Sequence, residues 1–161
     1  MASLELLYLS KNDVEAVEVS MREILEVLET AFREKAEGRV EMPPKPGVHP
    51  RPDCFLHAMP AHIPALEAVG AKWVSGYPTN TSRGLPYITG LMVLNDEATG
   101  VPIAVMDAVW ITAMRTAASS GLAARLLARR DSKKLGILGC GVQARTHLVA
   151  LREILPIETV M

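Results

Sequence analysis

The stretch that decides the fold is KKLGILGCGVQARTHLVALREIL, residues 133–155. Its apolar run from Lys134 to Leu138 predicts a short buried strand, and the residues after the glycines predict a helix that reaches about Leu155. A glycine turn between a strand and a helix is the context in which a G-x-G-x-x-A string predicts a dinucleotide-binding site. The string here is Gly139-Cys140-Gly141-Val142-Gln143-Ala144.

Each small residue of this turn has a physical role in that interpretation. Gly139 permits the tight turn, Gly141 lets the backbone approach a pyrophosphate, and Ala144 lets the helix pack closely against the strand. Free amides at the helix start, aided by the helix dipole, would face the phosphates. The alternative is that the glycines only join a strand to a helix, but the flanking elements favour a cofactor site.

The motif predicts NAD or NADP as cofactor and does not choose between them. The side chain that distinguishes the two usually lies about 20 residues beyond the first glycine, at the end of the second strand. The sequence reaches only Met161. Since one strand and one helix do not complete a doubly wound sheet, we expect a fragment, or a chain completed by another.

Upstream of the turn, the sequence predicts a helix followed by extended chain. Apolar residues at three- and four-residue steps from Val14 to Phe32 predict one helix that begins near Ser10 and ends at Gly38. Seven prolines within residues 41–64 exclude a long helix there and predict extended chain, short strands and turns.

The middle of the chain predicts an antiparallel sheet and then a long helix. Ala68–Ser75, Tyr87–Asn95 and Val101–Met106 are typical of strands, with a turn between the last two. Trp110 to Arg130 contains no proline and is rich in alanine, leucine and arginine, so it predicts a helix. The predicted class is α/β, with an α+β domain before the start of a Rossmann domain.

Composition excludes several classes of function. A net charge of −1 gives no basic footprint for nucleic acid. Cys54 and Cys140 lack metal-type or disulfide-rich spacing, which favours a reducing compartment, and we expect the cytoplasm. The N-terminus does not resemble a signal peptide, and no apolar run is long enough to span a membrane.

Lys72 lies in AVGAKWVSGYP, residues 68–78, where apolar neighbours suggest a strand that enters an interior. A buried lysine loses hydration, so it shifts its pKa or pairs with an anion such as a substrate carboxylate. The alternative, which the local pattern alone favours, is a surface lysine on the polar face of a half-buried strand.

Two further cations are candidates for binding an anion. Arg115 lies on an apolar helix face, beside small residues that would admit a ligand or another backbone. Its guanidinium suits binding of a carboxylate or a phosphate. An equally supported alternative is a buried ion pair with an aspartate such as Asp107. Lys45, held between prolines, is either presented to a pocket or solvated.

The histidines do not predict a metal site. His49, His57 and His62 lack the H-x-x-x-H and H-E-x-x-H arrangements that place ligands on one helix face. His57, between Leu56 and Ala58, is expected to be a core or pocket residue.

Four strings, taken in order, resemble one known family. Their order and spacing are similar to those of the ornithine cyclodeaminase and mu-crystallin family, most of all its archaeal-type alanine dehydrogenases, with bacterial ornithine cyclodeaminase next. The resemblance runs from about residue 40 to the end. The strings are KWVSGYPTNTSRGLP (72–86), VLNDEATGVPIAVMDA (93–108), ITAMRTAA (111–118) and LGILGCGVQA (135–144).

The resemblance implies an NAD(P)-dependent oxidoreductase or deaminase that acts on a small amino acid. Lys72 would bind the substrate carboxylate and, as in alanine dehydrogenase members, donate and accept a proton. Lys45 would stand where the family usually has arginine as second basic ligand. Arg115 would lie by the nicotinamide phosphates and the active site, while Val142 and Gln143 would contact the cofactor.

The resemblance also implies an organisation and leaves alternatives. Residues 1–115 would form a substrate-binding and dimerisation domain, usually the site of homodimer contacts, and residues 116–161 the beginning of the NAD(P)-binding domain. His57 stands where cyclodeaminases have glutamate, and Thr89 where they have methionine, so ornithine specificity is in doubt. Cyclodeamination of ornithine to proline and ammonia, or a crystallin-like NADPH-binding protein or ketimine reductase, are the alternatives.

Overall fold

The protein has a mixed α/β fold in a computed structural model that describes residues 4–161. The helices and strands follow one another as β1 (Leu7–Leu9), α1 (Lys11–Ala16), α2 (Met21–Ala36), β2 (Gly47–Val48), β3 (Phe55–Ile63), β4 (Ala68–Gly76), β5 (Ile88–Asn95), β6 (Pro102–Asp107), α3 (Val109–Leu127), β7 (Lys134–Leu135), α4 (Val142–Arg152) and β8 (Thr159–Val160).

The chain divides into two compact units. The first comprises the residues up to Val17 together with Arg33–Trp110, and the second comprises Glu18–Phe32 and Ile111–Met161. The second unit thus takes in an N-terminal segment that lies far away in sequence from the rest of it. The division of function between residues 1–115 and 116–161 stays a prediction.

A six-stranded sheet forms the first unit, in the order β1-β6-β5-β4-β3-β2. Its neighbours are antiparallel except for β1 and β6, which are parallel. The predicted strands in the middle of the chain and their antiparallel pairing are confirmed. Strand β1 and the full nine residues of β3 were not predicted, because prolines interrupt the pattern of the latter.

Pro60 lies in the middle of β3, opposite Ala71 of β4, without breaking the ladder. The amides of Ala58 and His62, on either side of it, donate away from β4, to the carbonyls of Pro46 and Glu41. The nitrogen of Pro60 points the same way, between these two bonds. The missing N–H of Pro60 therefore lies on the side of β3 away from β4, toward the edge of the sheet, where proline is tolerated.

The single N-terminal helix predicted from the apolar stripe is wrong, because the structure has two helices. Ser10 and Asp13 cap the first one reciprocally, as expected for its start. Glu18 then adopts a left-handed φ of 53°. Ser20 caps the second helix, donating to and accepting from Glu23 at 2.6 and 3.3 Å. A second capping box thus begins a new helix, α2, within the predicted apolar stripe.

Three helices build the core of the second unit. Leu25 of α2 is fully buried, and Gly121 of α3 lies against it and against Ala150 of α4, where an added Cβ would be 3.2 and 3.4 Å from the nearest atoms. The small residues after Arg115 therefore admit another backbone, as the sequence suggested. The buried members of this cluster are Met21, Leu25, Ala117, Ala118, Leu122 and Ala150.

Strands β7 and β8 pair in parallel on either side of α4 in sequence, as in a βαβ unit. The predicted strand Lys134–Leu138 is shorter than expected, with two residues in the ladder. It is also not buried, since the side chain of Leu138 is fully exposed. A two-stranded ladder offers too little surface to cover that side chain.

Among the described residues, no helix is both long and apolar enough to cross a membrane.

Candidate functional site

Lys72 lies near the middle of β4 and is buried, with 7% of its surface exposed. The strand register places it opposite Met59 of β3 and Met92 of β5, and Met92 opposite Met106 of β6. Side chains at paired positions share a face of the sheet, so Lys72 lies in a row of methionines. The surface alternative is wrong, and the ammonium is largely withdrawn from water.

His57 shares this face with Lys72. It pairs with Val74, two residues along β4, and such diagonal neighbours lie about 7–8 Å apart. Its ring stacks on Phe55, with centroids 4.5 Å apart, and meets His49 edge-on at 6.1 Å. His57, expected to be a core or pocket residue, is half-buried, and its ring is stacked on that of Phe55.

Two glycines make room for this stack. A Cβ on Gly47 would lie 2.3 Å from Cδ2 of His57, and one on Gly76 would lie 2.3 Å from Cε1 of Phe55. A larger residue at either position would displace a ring. The backbone of β2 and β4 thus supports the two rings at close contact.

Burial and two neighbouring basic residues act on the pKa of His57. Burial, then the charge of Lys45, then that of His49, lower the pKa of His57 from its ordinary value. Lys45 itself is exposed on the segment that leads into β2. Because the pKa of His57 is lowered, its ring favours the neutral form near neutral pH.

Thr89 does not share the face of Lys72. It pairs with Ser75, and the two hydroxyls are hydrogen-bonded at 2.8 Å on the opposite side of the sheet. The resemblance gives cyclodeaminases a methionine at this position. The structure gives Thr89 a cross-strand contact instead.

Arg115 lies half-buried on α3, in the second unit. Desolvation lowers the pKa of its guanidinium from its ordinary value. Asp107, the aspartate considered as its ion-pair partner, accepts a hydrogen bond from the amide of Val109 at 2.9 Å, at the start of α3. A partly dehydrated guanidinium of this kind suits an anionic ligand.

The glycine turn has the geometry expected of a phosphate cradle. Gly139 has a φ of +98°, which favours glycine, whereas Gly141 is extended, with φ −76° and ψ −169°. Cβ atoms built on either residue would meet no atom within 4 Å. The space in front of the turn is thus open. The backbone conformation at position 141 does not require a glycine, because other residues adopt it as well.

The first turn of α4 presents its amides without a side-chain cap. Gly141 is the N-cap residue, and within residues 4–161 no side chain accepts from the amides it leaves free. Val142 and Gln143 begin the helix and are exposed. Open space, uncapped amides and the positive helix end fit a dinucleotide phosphate group.

Metal chemistry finds no support in the described part of the chain. Between Leu4 and Met161, no cluster of three or more histidine, cysteine, aspartate or glutamate side chains could hold an ion.

The sequence analysis missed two features of the site region: the stack of Phe55 on His57, and a hydrogen bond between Ser120 and His147. Only the alternating rings in FLH hinted at the first of them.

The family model of the ornithine cyclodeaminase/mu-crystallin family matches residues 5–161. Alanine dehydrogenase of Archaeoglobus fulgidus is 44% identical over 158 residues, which are 98% of this chain and 48% of that protein. Two solved structures are similar. One is the Δ1-pyrroline-2-carboxylate reductase of Thermococcus litoralis in complex with NADH and L-proline, with TM-score 0.92, 44% identity and coverage of 96% of this chain and 48% of that one.

The other is an archaeal alanine dehydrogenase dimer with bound NAD, with TM-score 0.91, 43% identity and coverage of 98% of this chain and 48% of that one. The chain thus spans about half the length of the relatives that it matches. Its fold, its strand and turn motifs and these similarities agree. The chain belongs to the ornithine cyclodeaminase/mu-crystallin family.

Proposed function

We propose that this chain is part of an NAD(P)-dependent amino-acid oxidoreductase of the alanine dehydrogenase type, which releases ammonia from a small amino acid. The open, uncapped turn from Gly139 to Gln143 carries the proposal, because its shape and polarity suit a diphosphate. Relatives of both alanine dehydrogenase and pyrroline-carboxylate reductase type, with NAD or NADH bound, support it.

Lys72 is the residue proposed to bind the substrate carboxylate and to move the proton of the amino group. Its burial among methionines strengthens the attraction between the ammonium and a carboxylate, because little water competes. Lys45, whose charge acts on His57, adds positive character near this face of the sheet. Together these groups orient a small amino acid by its acid end.

The turn and α4 are proposed to hold the nucleotide. The amides of Val142 and Gln143 donate to the diphosphate, Gly139 and Gly141 leave space for it, and Arg115 adds a guanidinium for phosphate or the active site. When bound, the nicotinamide supplies the acceptor for the hydride on the amino-bearing carbon. The protein's part is to bind, orient and move the proton.

The test is reduction of NAD and NADP by a panel of small amino acids, with the protein compared with two methionine variants. Lys72→Met keeps the length of the side chain and removes its charge, and we expect at least about a hundredfold loss in kcat/KM. Lys35→Met, at an exposed position of α2, is the matched control and should retain full activity. No reduction with any amino acid, or equal activity of both variants, contradicts the proposal.

Cyclodeamination is the second candidate, and His57 argues against it. A glutamate at this position would attract the side-chain ammonium of ornithine, whereas His57, whose lowered pKa favours the neutral ring, gives no such attraction, and the charge of Lys45 nearby repels it. Proline formed from ornithine without net consumption of cofactor would favour cyclodeamination. Tight NADPH binding without turnover over the whole panel would favour the crystallin-like alternative.

A homodimer through the sheet is also proposed. On the face opposite Lys72, Tyr8, Val105, Val93 and Ala71 are paired across four strands, and the adjacent Trp73 is 50% exposed. An apolar face of this extent is typical of an interface, and the similar archaeal alanine dehydrogenase is a dimer.

Sedimentation velocity tests the dimer. Trp73→Glu would place a charge in the proposed interface and should yield a monomer, whereas Phe32→Glu, a similarly exposed aromatic position on α2, should not. A dimer that survives the first substitution contradicts this interface.

The unpaired cysteines, Cys54 buried and Cys140 exposed, support the proposal of a reducing compartment such as the cytoplasm.

A further inference from the structure

A hydrogen-bonded chain links α3 to the first turn of α4. Oγ of Ser120 lies 3.0 Å from Nε2 of His147, and Nδ1 of His147 lies 2.7 Å from the carbonyl oxygen of Gln143. All three residues belong to the second unit, and both side chains are half-buried. This series of hydrogen bonds begins on α3 and ends at the turn proposed to bind the nucleotide.

The chemistry of the groups fixes the direction of these bonds. A carbonyl oxygen only accepts, so Nδ1 of His147 carries the proton and donates to Gln143. In the neutral ring Nε2 is then an acceptor, and the hydroxyl of Ser120 donates to it. Every polar atom of the imidazole is thus used, and the ring has one preferred orientation.

The link lies where it controls the start of α4. One turn further along α4, Ala150 packs against Gly121 at backbone contact distance, next to Ser120 on α3. The helix is therefore held at two points, one apolar and one polar. The apolar contact sets the distance between the helices, while the polar one restrains rotation of the first turn of α4.

We propose that Ser120 and His147 are positioning residues for the nucleotide, holding the first turn of α4 so that the amides of Val142 and Gln143 keep their direction. This inference rests on the proposed function, since it assumes that those amides receive the diphosphate. Nothing between the link and the turn is long or flexible: His147 is four residues from Gln143 on the same helix. A small rotation at the link therefore moves the donors.

The experiment is titration of the purified protein with NADH at a temperature where circular dichroism shows every variant folded. Ser120→Ala removes only the donor to His147. Ser119→Ala is the matched control, because the hydroxyl of Ser119 bonds to the carbonyl of Arg115 within its own helix at 2.9 Å. We expect about three- to tenfold weaker NADH binding for Ser120→Ala and an unchanged affinity for Ser119→Ala.

Two substitutions of His147 separate positioning from general stability. His147→Asn keeps a donor near the position of Nδ1 but does not reach Ser120, so it should weaken NADH binding as Ser120→Ala does. The side chain in His147→Gln reaches further and accepts from Ser120, so this variant should retain part of the affinity that His147→Asn loses. The KM for the amino acid should change little in all of them, because the bonds of the link stay within α3 and α4.

The outcomes distinguish this inference from the function on which it rests. Absence of NADH binding by the unaltered protein overturns the proposed function and this inference with it. If NADH binds equally well to the unaltered protein and to Ser120→Ala, the positioning role alone is overturned. The same holds if Ser120→Ala lowers the melting temperature without changing NADH affinity, because that result assigns the link to stability.

Discussion

Gly141→Ala separates the fold of the nucleotide turn from its function. Gly141 is extended, and an added Cβ would meet no atom of the protein within 4 Å. Alanine reduces the entropy of the unfolded chain, which stabilises by about 0.4–1 kcal/mol, but it is a poorer N-cap by a similar amount. The free energy of unfolding should therefore stay within about 1 kcal/mol of the original value.

Cofactor binding should respond very differently. The methyl group would occupy the space through which a diphosphate approaches the amides of α4. Losing two charge-assisted hydrogen bonds, each of about 1.5 kcal/mol or more, raises the Kd for NADH about a hundredfold or more. Stability and affinity should thus change independently of each other.

The assays are urea denaturation and NADH titration on the same preparations. Gly136→Ala is the matched control, because a Cβ there also meets open space but lies before the turn. It should change neither quantity by much. If Gly141→Ala binds NADH within about twofold of the unaltered protein, the diphosphate does not pass this residue, and the assignment of the turn is refuted.

Three further predictions concern stability. The pKa of His57 is lowered in the folded protein, so the unfolded chain takes up the proton first as the pH falls. The free energy of unfolding should therefore decrease below about pH 6.5. His57→Asn should flatten this pH dependence, measured by urea denaturation at a series of pH values. Gly47→Ala should destabilise by about 1–3 kcal/mol by overpacking the ring of His57, and adding His57→Ala should relieve most of it in a double-mutant cycle. Ser20→Ala should cost about 1 kcal/mol in thermal denaturation through loss of the cap of α2, and an unchanged stability would show that the cap contributes nothing.

Local patterns predicted the elements whose signal lies within a few residues. The three strands between Ala68 and Asp107, the long helix around residues 110–127 and the turn at Gly139 each have a period or a breaker of their own. The family resemblance rests on the same stretches, and the match over residues 5–161 confirms it. These features depend little on tertiary contacts.

Features that depend on partners distant in sequence were not predictable in this way. The break before α2 was hidden because the apolar spacing continues across Glu18, and only the Ser20–Glu23 pair marks it. Strand β3 forms because an edge accepts Pro60, which no local propensity shows. The link between Ser120 and His147 joins positions 27 residues apart.

Lys72 and Trp73 show why burial needed the structure. Both flanks of Lys72 in sequence are apolar, so the local pattern does not say which face of the strand is covered. The cross-strand partners decide it: the face with Met59 and Met92 buries the lysine, while the neighbouring tryptophan is half-exposed. Burying the indole would lower the free energy of this unit, so stability alone does not explain why Trp73 is exposed. A buried cation and an exposed ring on adjacent residues are explained together if an anionic ligand meets one face of the sheet and a second copy of the chain covers the other.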